Sequence, residues 1–300
     1  MSLRARIEAR AEDWRQRHGD RAAALGARWV AKPFFALPLD WRVHRAALGM
    51  AARLTPKLSG VRETWETVGG VPCRVSEPEG GGAGDLLWLH GGGFVVGSAR
   101  SYHRLLDSLA LATGRRVTAP DYRLAPEHPF PAAYDDCLAA LRARTGALGG
   151  DSAGGTLALA VAATLCREGR PPERLVLASP AADLDPARPV PADRREMVLP
   201  LNMIRRATRA YRADADPRDP RLSPIHADWP CTVATQVFVA EGELLEHDAD
   251  AIAERLRAAG ADVDLRRYRG VPHAWVIGAS RAPAADRAVA EIALFLGGAP

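Results

Sequence analysis

One serine stands between glycines in Gly150-Asp151-Ser152-Ala153-Gly154, where a short apolar run opens into an Ala/Leu-rich stretch. A serine on a tight strand-to-helix turn has its oxygen exposed above a sheet, and the helix N-terminus adds a positive field where an oxyanion would develop. Ten serines and 27 glycines in the chain give about 0.08 chance matches to G-x-S-x-G. A second run, His90-Gly91-Gly92-Gly93-Phe94, has about 0.006 chance matches. Three glycines leave backbone N–H groups free to point at a ligand, which is what an oxyanion hole requires. His90 itself reads as a structural hydrogen-bonder that shapes this loop. The chemistry these features suit is acyl transfer through a serine nucleophile.

Such a nucleophile needs a base, and the base needs a third group to fix its tautomer. His273, in Gly270-Val271-Pro272-His273-Ala274-Trp275, and Glu243, in Ala240-Glu241-Gly242-Glu243-Leu244-Leu245, are the candidates. Glu241, Glu246 and Asp248 compete for the acid role. Glu243 falls at a strand-to-helix turn, whereas Asp248 reads as a helix N-cap. His18, His44, His103 and His226 read as surface or packing residues. His128 reads as structural, in a proline-rich turn, and His247 as opening a helix.

These residues have to be positioned by alternating elements. The spacing predicts a β-hairpin from Arg62–Val68 and Val71–Val75, then strands at Asp85–His90, Arg116–Ala119, Gly146–Gly149, Arg174–Ser179, Gln236–Ala240 and Val263–Tyr268. Helical patterns lie between them, at Tyr102–Thr113, Pro131–Arg144, Gly154–Arg167, Ala249–Gly260 and Ala284–Leu296. The alternation implies an α/β fold with a mostly parallel sheet covered on both faces. Ser152, Glu243 and His273 each follow a strand, at the sheet edge where open α/β sheets bind ligands. Residues 1–56 read as helical, with Leu3, Ile7 and Trp14 near helical spacing. Asp183–Leu222 reads as an insertion above the sheet, with a helix over Leu201–Tyr211.

Composition narrows the class. The 300 residues are 47% hydrophobic and 25% charged, which excludes disorder. Arginine supplies 38 of the 40 positive charges, and acids are interleaved with it, so the net charge of +4 marks no nucleic-acid patch. Cys73, Cys137, Cys166 and Cys231 show no close pairing or metal-ligand rhythm and read as free thiols. No metal or cofactor is called for. The charged N-terminus has no signal-peptide core, and Ser152–Cys166, at 15 residues, is too short to span a bilayer. The expectation is a cytoplasmic protein without a membrane span. Oligomeric state stays open, a homodimer included.

Together these motifs resemble the bacterial hormone-sensitive-lipase-like (family IV) esterases of the α/β-hydrolase superfamily. The matching segments are Val71-Pro72-Cys73, His90–Phe94, Asp121–Asp136 (DYRLAPEHPFPAAYDD), Gly150–Gly155, Leu222–Asp228 and the loops of Glu243 and His273. The resemblance implies an α/β-hydrolase fold with a helical cap built from residues 1–56 and about 183–222, the catalytic domain spanning 57–300. It implies Ser152 as nucleophile, His273 as base, Glu243 as acid, and the N–H groups of Gly92, Gly93 and Ala153 as oxyanion donors. His90, Gly91, Gly150, Asp151 and Gly154 would support the motifs, and Arg123 and Glu127 would hold the loop beside the site. The family's acid usually opens an Asp-Pro-Leu turn; Glu243-Leu244-Leu245 departs from it. Only 13 residues separate Asp136 from Gly150, so Arg144–Gly149 must supply a short strand. The implied activity is a serine carboxylesterase on short- to medium-chain acyl esters. An amide or N-acetyl deacylase could use the same triad; a ligand-binding receptor on this fold would lack the histidine.

Overall fold

Alternate side chains of the central strands enter two different cores. In β3 (Asp85–Leu89), Leu87 and Leu89 pack on one face and Leu86 and Trp88 on the other. The continuous apolar run LLWL is what a strand buried on both faces requires. The computed structural model describes residues 18–188 and 196–297, with eight strands in one sheet. The others are β1 (Val61–Val68), β2 (Val71–Pro78), β4 (Arg116–Pro120), β5 (Ala147–Asp151), β6 (Leu175–Ala178), β7 (Thr235–Ala240) and β8 (Val263–Tyr268). Their order across the sheet is β1-β2-β4-β3-β5-β6-β7-β8. The hairpin turns at Gly69-Gly70, with Val68 opposite Val71, and β2 lies antiparallel to β4; every other pair is parallel.

Residues 18–36 form helix α1, π-helical over Ala27–Ala31, and α2 spans Trp41–Leu54. The helices that follow are α3 (His103–Thr113), α4 (Ala132–Ala143), α5 (Ala153–Arg167), α6 (Leu201–Arg212), α7 (Glu246–Ala258) and α8 (Pro283–Phe295). Helices α3 and α8 cover the Trp88 face, and α4, α5 and α7 the Leu87 face. The short run before Ser152 suffices. Helix α4 ends at Ala143, and β5 pairs on both sides, Gly150 opposite Leu89 and Leu177.

Helices α1, α2 and α6 stand off the sheet and bind one another. Arg206 of α6 donates to the carbonyls of Leu37 and Leu39, and its guanidinium lies 4.6 Å from the Trp41 ring. Asn202 donates to the Ala36 carbonyl, and Lys32 to that of Glu196. From α2, Arg45 reaches the carbonyls of Val95 and Ala125 and forks onto Glu127. That side-chain hydrogen bond holds the Glu127 carboxyl down at about 2. Arg123 grips Asp136 in the same segment.

Two expectations change. Cys166 and Cys231 are not free thiols: a disulfide joins them across 65 residues, the end of α5 to the approach to β7. Spacing could not reveal a contact made only by folding. Asp248 does not cap α7, which begins at Glu246 without a side-chain cap; Asp248 lies in its first turn and accepts from the Ala182 N–H. The helical spacing at Leu3, Ile7 and Trp14 lies outside the described residues, as does 189–195 of the insertion. Among the described residues no helix is long and apolar enough to cross a membrane.

Candidate active site

Three strand ends converge. Ser152 follows β5 directly, Glu243 lies three residues beyond β7, and His273 five beyond β8. Ser152 has φ 52° and ψ −120°, a strained backbone for a residue with a side chain. The fold enforces it: the Ser152 N–H donates to the Ala178 carbonyl at 2.9 Å, while its own carbonyl receives the Thr156 N–H in α5. The turn admits no side chain at Gly154, where a Cβ would lie 1.9 Å from the Leu89 carbonyl oxygen.

A continuous hydrogen-bond chain crosses the site. Glu243 Oε2 lies 2.5 Å from His273 Nδ1, and His273 Nε2 lies 2.9 Å from Ser152 Oγ. A carboxylate only accepts, so Nδ1 carries the proton and Nε2 is left to accept from the serine hydroxyl. Glu243 is itself pinned. Its Oε1 accepts from Ser179 Oγ at 2.7 Å and from the Ala240 N–H at 2.9 Å. Ser179 in turn accepts the Ala274 N–H, joining the acid and histidine loops. Burial of the His273 ring opposes its charge, but the Glu243 carboxylate and its hydrogen bond outweigh burial and raise the pKa above the ordinary value of 6.5. The competing acids are engaged elsewhere: Glu241 with Arg269, Glu246 with the Gly242 N–H, and Asp248 with Arg188.

The glycine loop folds beside the serine. Gly92 has φ 119°, and a Cβ there would lie 2.2 Å from the Val96 carbonyl oxygen, so only glycine fits. Gly92, Gly93 and Ala153 line the same cavity as Ser152. His90 stays out of the chemistry: its Nδ1 donates to the Gly91 carbonyl at 2.8 Å, and its ring stacks on Tyr122. Burial lowers its pKa, which keeps the ring neutral.

Sequence reasoning missed the brace between loop and elbow. The Gly91 N–H donates to the Tyr102 hydroxyl, which donates to Asp151 Oδ2 at 2.8 Å. Trp88 Nε1 donates to the other oxygen, Oδ1. Burial pushes Asp151 up to about 6 despite these bonds. Ser179 also went unnoticed, although a polar residue ending the apolar run RLVLAS was a signal. Nothing marked Tyr102, whose role arises because β3 and β5 are neighbours in the sheet but not in the chain.

The cavity above Ser152 holds about 1180 Å³. Phe35 and Leu48 wall it from the N-terminal helices, and Leu201, Met203 and Ile204 from α6. Helix α6 sits close on the glycine loop, with Tyr211 stacked 3.8 Å from Phe94.

Residues 86–277 match the family described as the alpha/beta hydrolase fold. Carboxylesterase/phospholipase LipF of Mycobacterium tuberculosis is 32% identical over 310 aligned positions, covering 92% of this chain and 80% of that one. An acetyl-hydrolase of Streptomyces hygroscopicus is 37% identical over 201 positions, covering 63% and 67%. A crystal structure of a hormone-sensitive lipase from a metagenome library superposes with TM-score 0.84 at 32% identity, covering 93% of this chain and 98% of that one. The strand order, the site at the strand ends and these relatives agree: the chain belongs to the α/β-hydrolases, as an ester hydrolase of their hormone-sensitive-lipase-like branch.

Proposed function

We propose that the protein is a serine carboxylesterase that hydrolyses short- to medium-chain acyl esters through an acyl-enzyme. The observation that carries this reading is the Ser152–His273–Glu243 hydrogen-bond chain with its defined tautomer. His273 Nε2 takes the hydroxyl proton as Ser152 Oγ attacks the ester carbonyl. The oxyanion is received by the N–H groups of Gly92, Gly93 and Ala153; loss of one such donor costs about 3–4 kcal/mol in the barrier. The tetrahedral adduct collapses, and His273 gives the proton to the departing alcohol. Water, deprotonated by His273, then attacks the acyl-enzyme, and Ser152 leaves with the proton returned. Glu243 stays ionised and holds the imidazole in its working tautomer. No step calls for a metal or cofactor.

In this reading the N-terminal helices and the insertion around α6 form one cap over the catalytic domain. Its apolar lining favours acyl chains and disfavours bulky triglycerides. The Streptomyces relative's name, acetyl-hydrolase, favours the short end of the range. The test is nitrophenol release from a butyrate ester by wild type and Ser152→Ala. A loss of about 10⁴-fold or more is expected. Undiminished turnover in the variant would sink the assignment.

A further inference from the structure

A short acyl ester fills only a fraction of a cavity of about 1180 Å³. Most of the wall is apolar, but arginines also line it, Arg205, Arg209 and Arg212 of α6 among them. Arg104, in the first turn of α3, and Arg281, beyond the His273 loop, both line it, together with Tyr102, Ala274 and Ile277. They are held side by side: Arg104 bonds Ser280, the residue before Arg281, and Pro56, the residue after the Thr55 that Arg281 bonds. Arg281 is exposed and Arg104 half-buried, so water screens their repulsion and both stay open to an arriving anion.

Arg104 donates to Ser280 Oγ at 2.7 Å, to the Pro56 carbonyl at 2.6 Å and weakly to the Ser280 carbonyl. Arg281 donates to Thr55 Oγ1 at 3.0 Å. These contacts hold both side chains in place without neutralising them. The acceptors in these bonds are hydroxyls and carbonyls, not carboxylates. Arg188, also in the cavity wall, shows the contrast, because Asp248 neutralises it. Beside the pair, His103 is 7% exposed and its Nε2 has no partner. Nδ1 donates to the Arg100 carbonyl, and Nε2 is itself closed off from solvent, so His103 helps to wall this part of the cavity rather than to bind in it.

We propose that Arg104 and Arg281 form an anion-binding subsite of the active-site cavity, and that the substrate is an ester whose far end carries a carboxylate or phosphate. Guanidinium forks suit both groups, and desolvation within the cavity strengthens the pairing. The proposal rests on the esterase reading for the word substrate, but not for the anion site itself.

Two substrate pairs test it, one with the charge on the acyl side and one on the alcohol side. The first is mono-nitrophenyl glutarate against nitrophenyl 4-carbamoylbutyrate; the second is 3-acetoxypropionate against its amide. Wild type is expected to favour the anion in at least one pair by about tenfold in kcat/KM, the effect of one charge-assisted contact. Arg281→Gln should bring that ratio towards one, Arg281→Lys should keep most of it, and Arg281→Glu should reverse it. Calorimetric titration of Ser152→Ala with glutarate and with inorganic phosphate reads the site without turnover. Binding that Arg281→Glu abolishes supports the subsite even if no ester is hydrolysed, in which case only the esterase reading fails. Hydrolysis without preference for either anionic ester, together with glutarate and phosphate binding that is absent or indifferent to Arg281→Glu, overturns it.

Discussion

Glu243→Gln preserves size and shape and removes one charge, and the surroundings dictate how the amide must lie. Oε1 accepts two donors, the Ser179 hydroxyl and the Ala240 N–H; Oε2 faces the His273 Nδ1 proton. Glutamine has one oxygen to divide between the two places. Turning its NH₂ towards Ala240 would leave a buried N–H facing a donor, at about 1–3 kcal/mol. The oxygen therefore takes the Oε1 place and the NH₂ faces His273. An NH₂ only donates, so Nδ1 has to become the acceptor and the ring proton moves to Nε2. In that tautomer the ring cannot take the Ser152 proton. The corresponding amide change in a Ser-His-Asp triad lowers kcat about 10⁴-fold, or about 5.4 kcal/mol of barrier. The loss should fall on kcat on a nitrophenyl ester, with KM within a few fold and the melting temperature close to wild type. A kcat within tenfold of wild type, in a variant that melts normally, would refute both the assigned tautomer and Glu243 as its keeper.

The pH profile follows from the same histidine. As a base it works neutral, and Glu243 holds its pKa above 6.5 against burial, so kcat/KM should rise with pH through a midpoint above 6.5. A midpoint below that value contradicts the ion-pair geometry. Asp151 makes a different prediction, about stability. Its folded pKa of about 6 exceeds its ordinary value of 3.8, so the folded chain holds that proton more tightly than the unfolded one. The contribution is fully present below about pH 3.8 and lost as pH rises through 6, amounting to about 3 kcal/mol. Urea unfolding of Asp151→Asn, compared with wild type from pH 4 to pH 7, should shift in favour of the variant by most of that amount. A difference that stays flat across the window would be against it.

The sheet was legible because its signals are local. LLWL, RLVLAS and the elbow glycines each state burial or turn geometry within a few residues, and the structure begins and ends these elements within a few positions of the spacing. Among the four neighbouring acids the turn position set aside Glu246 and Asp248, which lie in α7, but not Glu241, which also falls between β7 and α7; only the fold separates the two, turning Glu243 to His273 and Glu241 to Arg269. Asp248 misled because an N-cap was expected and α7 has none; Leu245 holds the cap position with no side-chain bond. The Tyr102–Asp151 brace, the Cys166–Cys231 bond and the Arg104–Arg281 pair were illegible for a common reason. Each joins residues distant in the chain, and each depends on which elements the sheet order makes neighbours.

The joint between α6 and the turn after α1 has a consequence for how such a chain can diverge. Arg206 and Asn202 bond to the carbonyls of Leu37, Leu39 and Ala36, never to their side chains. Any residue presents the same carbonyl, so residues 36–39 can drift without loosening the joint, whereas Arg206 cannot. Lys32 reaches the carbonyl of Glu196 under the same rule. The stretch 36–39 is thus free to change its side chains piece by piece, while on its side the seam to α6 is anchored in atoms that mutation does not alter.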